Sequence, residues 1–159
     1  MVSKNKRRIA VFGAGICDEE IYQLAYEVGR LLAPHAIVYT GGLGGVMEAA
    51  ARGALEAGGL TVGILPGKRA EDANPYIAVP VVTDMGHARN MILVRTAEAA
   101  IAISGGYGTL SEIALALKTW KPVIGLRTWP HIEGVIYVET PEEAVQKALG
   151  ALQVTREEI

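Results

Sequence analysis

The sequence is poor in cysteine, in aromatic residues and in any excess of charge. Cys17 is the single cysteine of 159 residues. It excludes an intrachain disulfide and a multi-cysteine zinc site, and it fits a reducing, cytoplasmic compartment. Fifteen basic against 17 acidic residues give a formal charge of -2. That balance offers neither the basic excess of a nucleic-acid binder nor the acidic excess of a solvating tail. No apolar run approaches the roughly 18 to 20 residues of a membrane span. Lys4, Lys6, Arg7 and Arg8 precede a short apolar run, 9–12, that ends at Gly13. The run is too short for a signal peptide, so the cluster reads as a solvated arm leading into a first strand. Neither nucleic acid nor membrane is expected as a partner. What is abundant is glycine, 19 residues in a chain that is 50% hydrophobic. Such a chain has enough apolar material for one packed domain, taken here as 1–159.

Short apolar runs alternate with segments of helical period. Strands are expected at 8–12, 36–39, 61–65, 99–103, 122–126 and 135–138. A further strand at 77–82 carries Pro80 and belongs at an edge or bend. Helices are expected at 18–32 with Asp18 as N-cap, from the second glycine turn to about 57, at 87–96 with Asp84 as cap, from the third glycine turn to 118, and from Pro141 onward. Residues 66–77 are polar and rich in breakers, the pattern of a functional or mobile loop. Strand, glycine-rich turn and helix in repetition predict an α/β fold. The expected form is a single Rossmann-like, doubly wound parallel sheet with helices on both faces.

Nine glycines fall in three strand-to-helix turns: Gly13 and Gly15; Gly41, Gly42, Gly44 and Gly45; Gly105, Gly106 and Gly108. Such turns line the carboxyl edge of a parallel sheet, where glycine lets backbone N–H groups approach an anion at a helix start. The same glycines also serve tight turns with no ligand at all. Familiar nucleotide motifs are broken. Gly13-Ala14-Gly15 begins a GxGxxG, but position 18 is Asp, and Thr40-Gly41 stands where an acidic residue would grip a ribose. No GxxxxGK[ST], zinc spacing or Gly-x-Ser-x-Gly elbow is present, and no metal or resident cofactor is expected. Glu112 lies near the start of the helix after the third turn, either as a reactive carboxylate or as the last member of a Thr109-Leu110-Ser111-Glu112 capping box. Arg89 is placed either to clamp a phosphate or orient a ribose, or to make a surface ion pair. His87 reads first as an exposed residue at a helix start.

The stretches around the second and third turns resemble the LONELY GUY (LOG) type of cytokinin-activating phosphoribohydrolase and its superfamily, many of whose members carry an old label of possible lysine decarboxylase. The signature PGGxGTxxE is matched by Gly105-Gly106-Tyr107-Gly108-Thr109 and Glu112, with Ser104 in place of the proline. The glycine-rich second turn is matched by Gly41-Gly42-Leu43-Gly44-Gly45-Val46-Met47, and the arginine-lysine pair by Arg89, with Asn90 in place of the lysine. The resemblance covers about 9–126. With Gly-His-Ala-Arg-Asn at 86–90 the chain is more similar to a sister branch containing molybdenum cofactor carrier proteins, which bind a phosphorylated pterin.

The resemblance implies a small phosphorylated ligand, a nucleoside monophosphate or molybdopterin. Glu112 and Arg89 are then the candidate catalytic residues. The three glycine turns, with Met47 and Thr109, hold the ligand, and the outcome is N-glycosidic hydrolysis or carriage without turnover. It also implies a homodimer or higher homo-oligomer that pairs through the helices flanking the third turn. Decarboxylation by pyridoxal phosphate has no support, since no lysine sits in a recognisable framework for that cofactor.

Overall fold

The computed structural model describes residues 6–157. Seven strands are present: β1 (Arg7–Gly13), β2 (Ala36–Thr40), β3 (Thr61–Leu65), β4 (Val79–Val82), β5 (Ala99–Ile103), β6 (Val123–Leu126) and β7 (Val135–Val138). Five helices accompany them: α1 (Glu19–Leu32), α2 (Val46–Glu56), α3 (Arg89–Thr96), α4 (Tyr107–Lys118) and α5 (Pro141–Glu157). All strand pairs are parallel, in the order β4-β3-β2-β1-β5-β6-β7. The expected α/β Rossmann-like sheet is therefore the observed one. The chain winds outward from β1 to β4, then returns to place β5 on the other side of β1. That reversal opens a crevice at the carboxyl ends of β1 and β5, the place where such sheets bind ligands.

Side-chain alternation along β1 divides the core. Ile9 and Val11 pack with Ala25, Val28 and Leu32 of α1, Val46 and Ala50 of α2, and Ala144 and Ala148 of α5. Ala10 and Phe12 face the other way, against Leu93 and Val94 of α3 and Ile113 and Ala116 of α4. In β5 the alternation is by size: Ile101 and Ile103 fill the first face, while Ala100 and Ala102 let α3 and α4 approach the second.

Asp18 accepts a hydrogen bond from Ile21 N–H at 2.9 Å and caps α1 as expected. Asp84 does not cap α3. Its φ is +53°, and a tight turn over Gly86–Ala88 separates it from a helix that begins without a side-chain cap. Of the basic cluster, Lys4 lies outside the described residues. Arg7 is half-buried and pairs with Glu98 at 3.4 Å, whereas Arg8 is exposed as expected while donating to the Thr96 carbonyl at 2.8 Å. The 66–77 loop is pinned rather than loose. Asn74 donates its backbone N–H to the Gly42 carbonyl at 2.9 Å and its side-chain Nδ2 to the Leu43 carbonyl at 2.9 Å, which ties the loop to the second glycine turn.

Candidate functional site

A cavity of about 310 Å³ opens at the crevice. Its size falls within the range of small-ligand sites. The turn after β1 contributes Gly13, Ala14 and Gly15, and Met47 comes from α2. The start of α3 supplies His87, Arg89 and Asn90, and the start of α4 supplies Gly106, Gly108, Thr109 and Glu112.

The third turn shapes the α4 end. A Cβ on Gly105 would stand 2.1 Å from Thr109 Oγ1, so the chain folds back on Thr109 only because position 105 has no side chain. Leu110 N–H donates to the Gly106 carbonyl, the first internal bond of α4. The N–H groups of Tyr107, Gly108 and Thr109 precede that ladder, and the helix dipole adds positive potential beside them. Ser104 has a φ of +55° and donates its N–H to the Arg127 carbonyl at 3.0 Å. Proline can do neither, with φ fixed near -65° and no N–H. This turn is therefore one that the signature's proline could not make.

The capping box does not form. Tyr107 opens α4, so Glu112 is its sixth residue and lies beyond reach of the helix start. Its carboxyl instead faces the cavity, 8% exposed. Burial pushes the Glu112 carboxyl up to about 7, against the lowering pull of the nearby Arg89 charge. Arg89, itself lowered by burial and raised by Glu112, donates Nη1 to the Ile64 carbonyl at 3.0 Å. This is a half-buried guanidinium held at the sheet edge, not a surface ion pair.

Five polar side chains among the described residues are buried: Thr40, Thr61, Asn90, Thr109 and Glu112. Thr40 Oγ1 accepts from Gly42 N–H, and Thr61 Oγ1 donates to the Tyr76 carbonyl and accepts from Ala78 N–H. The other three make no side-chain hydrogen bond to any described residue, and all three line the one cavity. Among the described residues no fully enclosed side-chain nitrogen or oxygen lacks a partner. Their free atoms therefore open onto the cavity. Buried polar groups are normally satisfied, so three unsatisfied ones converging on one space mark a place for a polar ligand.

Of the residues expected from sequence to form the site, Glu112, Arg89, Gly13, Gly15, Met47, Gly106, Gly108 and Thr109 come together here. Gly41, Gly42, Gly44, Gly45 and Gly105 lie outside the lining. A Cβ at Gly41 would stand 2.0 Å from Arg89 Nη1 and 2.8 Å from Met47 Sδ, so this glycine makes the seat of the guanidinium. Gly44 and Gly45 bring the second turn against the first. At Gly45 the φ is +61° and a Cβ would meet the Ala14 carbonyl at 2.2 Å, while Val46 N–H donates to that same carbonyl at 2.9 Å. Three lining residues were not singled out as site residues: Ala14, Asn90 and His87, which is exposed as expected yet borders the cavity. Ala14 carries no signal of its own. Asn90 stood out only as a departure from the signature, although its place beside Arg89 at a helix start was the available clue.

The sequence model of the SLOG cluster4 family matches residues 6–154. The chain belongs to the SLOG cluster4 family. Within reach of this SLOG protein is an uncharacterized protein of Archaeoglobus fulgidus, 51% identical over 91% of this chain and 95% of the relative. A cytokinin riboside 5′-monophosphate phosphoribohydrolase of Mycobacterium tuberculosis is 32% identical over 80% of the chain and 74% of the enzyme. Among solved structures, the molybdenum cofactor binding protein of the phototrophic bacterium Rippkaea orientalis superposes with a TM-score of 0.88. It is 36% identical to the SLOG chain, covering 94% of it and 99% of the solved chain. The expected kinship with both the phosphoribohydrolases and the carriers is thus found.

Proposed function

We propose that this chain binds a phosphate-bearing, nucleotide-type ligand in the crevice cavity and hydrolyses its N-glycosidic bond. The observation that carries the reading is the convergence of unpartnered, buried Asn90, Thr109 and Glu112 on one cavity. The phosphate is assigned to the free N–H groups and the Thr109 hydroxyl at the α4 start, where anions are favoured. Arg89 orients the sugar. Glu112 stands against the anomeric carbon, stabilises its oxocarbenium character and takes the proton of the attacking water. The carbon–nitrogen bond breaks, the base leaves with a proton, and ribose 5-phosphate remains. In this reading residues 1–159 act as one nucleotide-binding domain in the cytosol, where the lone Cys17 stays reduced.

A second reading, carriage of a molybdenum cofactor without turnover, is favoured by a specific observation. The Rippkaea orientalis protein is matched over 99% of its length, against 74% for the Mycobacterium tuberculosis enzyme. Incubation with a panel of nucleoside 5′-monophosphates, assayed for free base and by thermal melting, separates the two. Hydrolysis predicts free base from at least one member. Carriage predicts no base but stabilisation by the pterin ligand. At a ligand concentration of about 100 times Kd that stabilisation is about 2.7 kcal/mol, or roughly 5 to 11 °C in a chain of this size. A panel that neither yields base nor moves the melting temperature, with the pterin also silent, defeats both.

A homo-oligomer is supported by α4. Its outward positions include exposed Ala114 and half-buried Leu110. Its charged residues are only Glu112, turned to the cavity, and Lys118 at its end. An outer helix with no charged face fits a covered surface. Sedimentation equilibrium at micromolar concentration should return a multiple of the 16.8 kDa chain mass; a monomer mass removes this part of the reading.

A further inference from the structure

Asn90 differs in kind from the other unpartnered groups of the cavity. It is 5% exposed, uncharged, and in the first turn of α3, with no side-chain hydrogen bond to a described residue. A primary amide carries two donors on nitrogen and an acceptor on oxygen, side by side in one plane. An anion would use only the donor half. The α4 N–H groups, Thr109 and Arg89 already offer donors and charge for a phosphate. A hydroxyl would engage either half without needing both. The group that uses both at once is a planar edge with a donor next to an acceptor, as in the amidine or lactam of an aminated or oxygenated heterocycle. Met47 and His87 line the same cavity and give such a ring a thioether and an imidazole to lie against.

We infer that Asn90 is the specificity-determining residue that reads the heterocycle of the ligand through a paired donor and acceptor contact. The ligand class is thereby narrowed to phosphorylated compounds whose ring presents that edge. The inference rests on the phosphorylated-ligand reading above, and its test keeps the two apart.

Three probes are titrated calorimetrically into the full chain: ribose 5-phosphate, which has no heterocyclic base; AMP, whose base has an amidine edge; and purine riboside 5′-monophosphate, the same base without the amino donor. Each is repeated on Asn90→Ala and on Asn90→Leu, which keeps the size but neither the donors nor the acceptor. Wild type should bind AMP about 10- to 100-fold more tightly than the purine riboside analogue. Both variants should lose that preference while holding ribose 5-phosphate as wild type does, which also shows that the site is folded. The Leu variant keeps the inference testable if the Ala variant does not fold.

Equal affinity of wild type for AMP and the analogue overturns the ring contact, as does a preference that survives in Asn90→Leu. Weakening of ribose 5-phosphate and AMP by the same factor in the variants overturns it too, because Asn90 would then act on the common sugar phosphate. Failure of ribose 5-phosphate to bind while AMP still discriminates removes the phosphate subsite and leaves the ring contact standing. Binding of none of the three overturns both.

Discussion

Replacing Glu112 by glutamine is expected to cut release of base from a nucleoside 5′-monophosphate by about 10²- to 10⁴-fold, while stabilisation by ligand survives. The amide keeps the shape and the buried position but cannot accept the water proton. Wild-type kcat/KM should rise with pH through about 7, because burial holds the Glu112 carboxyl protonated up to there and the base is its ionised form. In Glu112→Gln that rise should vanish.

The same shift has a consequence for stability. Between 4.5, the ordinary value, and about 7 the native carboxyl keeps a proton that the unfolded one has lost. Its favourable contribution is fully present below about 4.5 and is lost as pH rises through about 7. Glu112→Gln should therefore melt like wild type at acid pH. Above pH 7 it should be more stable by about 3 kcal/mol, or roughly 6 to 12 °C. Paired melts at pH 4 and pH 8.5 read this directly. Unchanged base release in the variant would take Glu112 out of the mechanism, and an unchanged melting difference would take it out of the dry part of the cavity.

Gly53→Ala should be strongly destabilising. A Cβ at Gly53 would stand 2.0 Å from the Tyr26 carbonyl oxygen, and one at Gly29 would stand 2.0 Å from that of Ala50. α1 and α2 thus touch backbone to backbone through reciprocal glycines, and a backbone neighbour cannot rotate away. Overpacking of this kind costs about 1 to 3 kcal/mol or more, and with rigid neighbours the upper end applies. The gain of about 1 kcal/mol from alanine's better helix propensity offsets only part of it. The melting temperature should fall by roughly 4 to 8 °C for a net loss of about 2 kcal/mol. Gly150→Ala is the control, since a Cβ there meets nothing within 4 Å and alanine should match or exceed wild type. Equal melting of the two variants would mean that the helices are not in backbone contact. The contact also serves the cavity, because α1 follows the first glycine turn and α2 the second, so locking the helices sets the spacing of the turns.

The sheet was legible because its strands are uninterrupted apolar runs, and the crevice because glycine turns follow three of them. Arg89 and Glu112 stood out as charged residues at helix starts on that edge. The division of labour among the glycines was not legible. Gly41 makes room for a guanidinium from α3, Gly45 for a carbonyl from the first turn, and Gly53 for a carbonyl of α1. Each need arises from a segment distant in sequence, so no local spacing announces it. The capping box misled for the opposite reason. A four-residue pattern that is locally sufficient was overridden when the helix began at Tyr107, with Gly106 as its cap. Pinning of the 66–77 loop depended on one amide, Asn74, finding carbonyls more than thirty residues away.

The seat beneath Arg89 constrains how this lineage can drift. Position 41 follows β2 and position 89 opens α3, yet a methyl at 41 would occupy the place of the guanidinium, 2.0 Å from Nη1. A side chain at 41 would push the guanidinium from its bond to the Ile64 carbonyl, unless a shorter residue stood at 89. Residues 41 and 89 are therefore expected to co-vary among homologues, glycine at 41 accompanying arginine at 89.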